Sequence, residues 1–224
     1  MLRGASNIIK DFLFPIFCAG CGEEGVWFCE QCKRRTEVHP FVFYPDDPFF
    51  DNGVLAFFSY RKDIILDKLI GFWKYGFAGE IIEEWREICI KEIFLLKKYL
   101  SGFDNPIFLL PVPLHIRREH ERGFNQSQIL GEMLQDILST EKIEVELIRS
   151  LRRVRYTRQQ AKLDRIARQA NLKSAFEWIG SEKIPKQIIL VDDIFTTGST
   201  IRECVEVLSS QGVQKIGAIV LAHG

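Results

Sequence analysis

The chain has no excess of either charge: thirty Lys and Arg balance thirty Asp and Glu. That balance excludes a globally basic nucleic-acid binder and moves attention to local clusters. No run approaches the ~18 uninterrupted apolar residues that a membrane helix requires. Lys10 and Asp11 interrupt the N-terminal apolar residues before a signal-peptide core can form, so no membrane insertion is expected and the expected compartment is the cytoplasm. Internal repeats and low-complexity tracts are missing as well. There is no Gly-Lys dipeptide, which rules out a Walker-type P-loop. The formal G-x-G-x-x-G at Gly20, Gly22 and Gly25 lies among cysteines rather than after a strand, so it is no dinucleotide site. His115, Glu119 and His120 make neither H-E-x-x-H nor its inverse.

What is present is a globular composition. With 224 residues, 46% hydrophobic and 27% charged, the chain suits one α/β domain plus a small appendage. The expected division is 1–50 for an N-terminal helix, a cysteine module and a linker, and 51–224 for the α/β domain. A short helix is expected over 2–14, and "HPFVFYPDDPFFDNG" reads as irregular linker. Apolar runs predict strands at 54–60, 107–113, 145–148, 187–191 and 216–222, and 3.6-residue periodicity predicts helices at 62–75, 79–100, 123–138, 160–172 and 199–211. Strands alternating with helices imply a mostly parallel sheet covered on both faces.

Four of the six cysteines form two C-x-x-C pairs, Cys18 with Cys21 and Cys29 with Cys32, separated by seven residues. Each tight turn points two sulfurs inward, and four thiolates make a closed tetrahedral zinc site with no position for substrate. An iron–sulfur cluster or redox disulfides are the alternatives. Cys89 and Cys204 fall on apolar helical stripes and are expected in the core.

The stretch "VDDIFTTGST" sets Asp192 and Asp193 at the end of an apolar run and follows them with hydroxyls and Gly198. In open parallel sheets ligands bind outside the carboxyl ends of the strands, where strand order reverses. Thr196, Thr197, Gly198, Ser199 and Thr200 offer backbone N–H groups and hydroxyls at a helix N-terminus, which suits a phosphate. Two ionised aspartates would repel that phosphate, so they must engage another part of the same ligand: sugar hydroxyls, or a magnesium ion they help hold. A ribose 5-phosphate unit has this pattern. The plainer alternative is a loop in which Asp193 or a threonine caps the next helix, but a cap needs one such side chain. A basic cluster also stands out at 149–168, where Arg149, Arg152, Arg153, Arg155, Arg158, Lys162, Arg165 and Arg168 face Asp164 alone. It suits a polyanion or is a solvated helix face.

Asp192, Asp193, Thr196, Thr197, Gly198 and Thr200 match the phosphoribosyl-diphosphate motif of type I phosphoribosyltransferases, which the segment resembles. The resemblance implies that the two acids hold ribose hydroxyls, that the loop, Ser199 included, holds the 5-phosphate, and that magnesium rides on the diphosphate. P-V-P, ending at Pro113, resembles the diphosphate-binding turn of amidophosphoribosyltransferases. Arg155, Thr157, Gln160, Arg165, Asn171 and Phe176 resemble the mobile-loop pattern of those enzymes and of ComF-type proteins. R-G-F-N-Q, residues 122–126, is a ComF signature. With the C-x-x-C pairs and Lys74 in F-W-K-Y-G, the resemblance to the ComF family covers nearly the whole chain. It implies a type I phosphoribosyltransferase-like fold with a zinc module. Asp192, Asp193, Arg155 and Arg165 are then the expected catalytic residues, and Lys74, Pro113, Arg122, Asn125, Gln126, Thr157 and Gln160 further ligand contacts. Only a short stretch follows the last expected strand, so no base-recognising hood is expected.

Two functions follow from these expectations. In the first, an enzyme passes through an oxocarbenium-like sugar as diphosphate leaves, with residues 155–165 closing as a lid. In the second, a competence protein binds single-stranded DNA or a nucleotide without turnover, its basic segment and exposed Trp27 and Phe28 tracking the strand, in company with other competence proteins. Thiol redox chemistry at the cysteine pairs is a third and lesser reading. The sequence names no acceptor.

Overall fold

Parallel strands need cover on both faces, and amphipathic helices supply it here. The computed structural model describes residues 15–36, 38–45, 52–59, 63–74, 78–156, 175–180 and 184–224. Its strands are β1 (Phe41–Phe43), β2 (Val54–Ser59), β3 (Ile107–Pro111), β4 (Val145–Leu147), β5 (Leu151–Arg153), β6 (Phe176–Trp178), β7 (Gln187–Phe195) and β8 (Lys215–His223). Its helices are α1 (Glu30–Arg35), α2 (Ile64–Lys74), α3 (Ala78–Lys91), α4 (Ile93–Leu100), α5 (Ile116–Arg122), α6 (Gln126–Thr140) and α7 (Ser199–Ser210). Six strands form one sheet in the order β1-β2-β8-β7-β3-β4, and β5 pairs with β6 in a separate antiparallel ribbon. Every pairing in the large sheet is parallel except β1 with β2.

The strand order contains its own switch. From β3 the chain passes through α5 and α6 to β4 at one edge, whereas from β7 it passes through α7 to β8 on the other side. The two connections diverge at the boundary between β3 and β7, opening a crevice above their carboxyl ends. One apolar cluster, with Leu66, Leu69, Ile70 and Trp73 of α2 and Leu130 and Leu134 of α6, covers one face of the sheet. The other, with Ile201, Cys204, Val205 and Leu208 of α7, covers the opposite face. Cys89 and Cys204 are fully buried, as expected.

Several boundaries differ from the sequence reading. Phe41–Phe43, expected within a linker, is an antiparallel edge strand, and its phenylalanines pack against the core on the α7 side. The helix expected from 123 begins at Gln126: Gly123 instead closes α5 in a left-handed conformation (φ 82°) and donates to Glu119 O at 2.7 Å. The strand expected to end at 191 runs on to Phe195, because the β8 ladder continues through Asp192↔Val220 and Ile194↔Ala222. The helices expected over 2–14 and 160–172 lie outside the described residues.

Tyr99 of α4 pins the sheet centre. Its hydroxyl accepts from Ala218 N at 2.9 Å and lies 3.0 Å from Gly53 O, to which it donates. A side chain at Gly217 would sit 2.4 Å from that oxygen, so glycine is required there. Tyr99→Phe strands the buried Ala218 N–H and is expected to cost about 1–3 kcal/mol of unfolding free energy, read by urea denaturation.

Candidate functional site

Asp192 and Asp193 stand at the carboxyl end of β7, and strand alternation turns their side chains to different sides of the sheet. Asp193 reaches α2, where its Oδ2 pairs with Lys74 Nζ at 2.9 Å, while its Oδ1 accepts from Ile194 N at 2.8 Å. Asp192 is buried, and its Oδ1 accepts from Ser127 Oγ at 2.8 Å and from Asp193 N at 2.9 Å. Among the described residues no protein donor reaches its Oδ2. Burial first, and then the neighbouring Asp193 charge, push the Asp192 carboxyl up to about 7, against the opposing pull of Ser127, the Asp193 N–H and Lys74.

The bend that follows is 196–198, and α7 begins at Ser199 behind Gly198, which is left-handed with φ 70°. A Cβ on Gly198 would lie 2.4 Å from the Phe195 ring, so the bend admits only glycine. Thr197 and Ser199 share a hydrogen bond at 2.8 Å. The N–H groups of residues 196–200 meet no protein acceptor among the described residues; the first α7 amide with a partner is that of Arg202, bonded to Gly198 O at 2.8 Å. Unspent donors at a helix N-terminus beside accessible hydroxyls can hold an anion.

The residues from Arg122 to Ser127 frame the same crevice. Asn125 caps α6 by accepting from Ser127 N at 3.1 Å, and donates to Val112 O in the P-V-P turn at 3.1 Å. Gln126 donates to Lys74 O at 3.3 Å and accepts from Arg122 at 3.1 Å. Asn125 and Gln126 are buried, so these two expected ligand contacts spend their amides on the protein. Sequence reasoning missed Ser127, whose only signal was its place directly after R-G-F-N-Q. Pro113 follows β3 at the crevice, beyond the bond from Val112 N to Val191 O at 2.9 Å.

Basic groups gather on the adjoining side. His115 caps α5 by accepting from Arg117 N at 3.2 Å, and bridges to Arg153 of β5. Arg117 and Arg118 lie over the Tyr156 ring at 5.6 and 5.8 Å. Burial and the charges of Arg117, Arg153 and Arg118 hold the His115 imidazole below its ordinary value. Arg153 is buried against Phe176 and feels the Asp192 charge. Arg155 is exposed where the chain leaves β5; Thr157, Gln160, Arg158, Lys162, Asp164, Arg165, Arg168 and Asn171 lie outside the described residues.

The four paired cysteines converge, with all four Sγ atoms within 4.8 Å of one another. Tetrahedral zinc–thiolate bonds of ~2.3 Å require sulfurs about that close, so the set fits a zinc ion. Cys29 N donates to Cys18 Sγ at 3.4 Å. Burial works against the Cys18 thiolate, but N–H groups of Cys29, Cys21 and Gly20 outweigh it and bring its pKa down to about 6. A side chain at Gly20 would fall 2.6 Å from Cys32 Sγ and 2.8 Å from Ile65 of α2. The module is part of the core: Trp27 packs on Phe72 at 5.5 Å, and Lys68 donates to Ala19 O at 3.3 Å. Lys33 of α1 pairs with Glu84 at 2.8 Å and with Glu87. Trp27 and Phe28, expected as exposed stacking platforms, are buried, because their rings fill the seam between module and domain. Among the described residues no helix is long and apolar enough to cross a membrane.

A family model for the phosphoribosyl transferase domain matches residues 130–224, which include β7, the bend and α7. The chain is 26% identical to "Competence protein F" of Haemophilus influenzae over 225 residues, covering 100% of this chain and 90% of the relative. It is 30% identical to "DNA utilization protein YhgH" of Salmonella typhimurium over 207 residues, 89% of this chain and 85% of the relative. "Competence protein ComFC" of Bacillus subtilis is 31% identical over 109 residues, 49% of this chain and 41% of that protein.

The raised Asp192 carboxyl has a stability consequence with a definite sign. Its folded value of about 7 exceeds the ordinary 3.8, so the folded state retains a proton that the unfolded chain releases. That contribution is complete below pH ~4 and is lost as pH rises through ~7. Asp192→Asn is therefore expected to melt progressively higher relative to wild type between pH 5 and pH 8, as read by thermal unfolding across that range.

Proposed function

Because the chain belongs to the ComF family of phosphoribosyltransferase-like proteins, we propose that the crevice above β3 and β7 binds magnesium-phosphoribosyl diphosphate. The observation that carries this reading is the set of unspent amides at residues 196–200 directly beyond the paired acids. In it, the 5-phosphate takes those amides with the hydroxyls of Thr196, Thr197, Ser199 and Thr200, and Gly198 keeps the bend open. Asp192 through Oδ2 and Asp193 take the ribose hydroxyls as acceptors. Lys74, paired with Asp193, and the turn ending at Pro113 are the proposed contacts of the diphosphate. Magnesium bound to the diphosphate would neutralise its charge. Arg155 and Arg165 are the proposed cationic partners of the leaving diphosphate, and Thr157 and Gln160 additional contacts, whereas Arg122, Asn125 and Gln126 act on the ligand through the framework they brace. Pentosyl transfer at this site would use electrostatic stabilisation of the leaving group rather than a strong base. The names of the relatives point to a place in DNA uptake and utilization, and the free thiols suit the reducing cytoplasm. The four cysteines are proposed to hold structural zinc.

Isothermal calorimetry with magnesium and phosphoribosyl diphosphate tests the site. Wild type is expected to bind, and Asp193→Asn to bind ~10- to 100-fold more weakly, the worth of about 1.5–3 kcal/mol for a charged hydrogen bond. A folded wild-type sample that gives no heat would end the proposal. Elemental analysis is expected to find about one zinc per chain, with its removal by chelation lowering the melting temperature; iron in its place would refute the assignment.

A further inference from the structure

The N-terminus of α6 reaches three elements of the crevice. Ser127 donates to Asp192 Oδ1 at 2.8 Å, with both side chains buried. Asn125, two residues earlier, holds the α6 terminus through Ser127 N and clasps the P-V-P turn through Val112 O. Gln126 holds the carbonyl of Lys74, whose ammonium pairs with Asp193. Three successive side chains thus fasten β3, α2 and β7 to one helix end. A merely structural cap would need Asn125 alone; it would not place a hydroxyl on one acid and an amide behind the lysine that serves the other.

We propose that Asn125, Gln126 and Ser127 form a bracket that sets both acids relative to the diphosphate turn, with Ser127 the positioning residue for Asp192. The inference rests on the ligand reading above and deepens it. Ser127 fixes the carboxylate through Oδ1, so that in this proposal Oδ2 is the acceptor left for the sugar. A buried serine-to-carboxylate bond also limits rotation of the acid, which pre-organises it before ligand arrives. Gln126 transmits the same constraint to Asp193 through the backbone of Lys74.

A double-mutant cycle with Ser127→Ala and Asp192→Ala, which removes the acceptor, read by calorimetry with magnesium and phosphoribosyl diphosphate, tests the bracket. Ser127→Ala is expected to weaken binding about 10-fold in the wild-type background and by less than about 2-fold in Asp192→Ala, with Ser127→Thr restoring most of the loss. Equal losses in both backgrounds, or no loss in either, would overturn it. The same cycle by thermal unfolding without ligand separates this result from failure of the ligand reading. If wild type binds nothing, coupled melting shifts still support the Ser127–Asp192 bracket, and additive shifts set it aside.

Discussion

Two carboxylates on successive residues of a central strand set the terms for everything packed around them. Neither can rest against apolar side chains without a donor, since a buried charge lacking a partner is costly. The fold answers with a different donor from each of two helices that cover the same face of the sheet. Asp193 receives the Lys74 ammonium from the end of α2, and Asp192 receives the Ser127 hydroxyl from the start of α6. Burial, and then the adjacent Asp193 charge, push the Asp192 carboxyl above its ordinary value even with the Ser127 bond in place. One acid thus meets an ammonium and the other a hydroxyl, so the two neighbours present different environments at the same strand end.

The cysteine module belongs to this same arrangement rather than standing apart. Its glycine turn lies against Ile65, its Ala19 carbonyl takes Lys68, and Trp27 packs on Phe72. All three partners are on α2, the helix that ends in Lys74. The module therefore packs along a helix whose last residue pairs with Asp193. Burial of Trp27 and Phe28 follows from that packing and removes the stacking surface on which a purely DNA-binding reading had leaned.

Much of the site was legible in the residues because its chemistry is local. Two acids, a hydroxyl-rich bend and a glycine are consecutive, and a strand-to-helix turn brings consecutive residues together without help from distant parts of the chain. The C-x-x-C pairs were readable for the same reason: each turn presents two sulfurs, and a short spacer closes the set. Less legible were the partners. Ser127 lies 65 residues from Asp192 in sequence, and nothing in its neighbourhood marks it as the donor to that acid.

The sequence by itself determined the kinds of element and the groups offered to a ligand, through periodicity, turn residues and a contiguous motif. Only the tertiary structure decided where β1 lies, how far β7 runs past its apolar stretch, and which amides of the R-G-F-N-Q segment are spent inside the protein. These depend on ladder bonds and cross-helix contacts between residues far apart in the chain, and such pairings are settled by which surfaces can be buried together, a property no local pattern encodes.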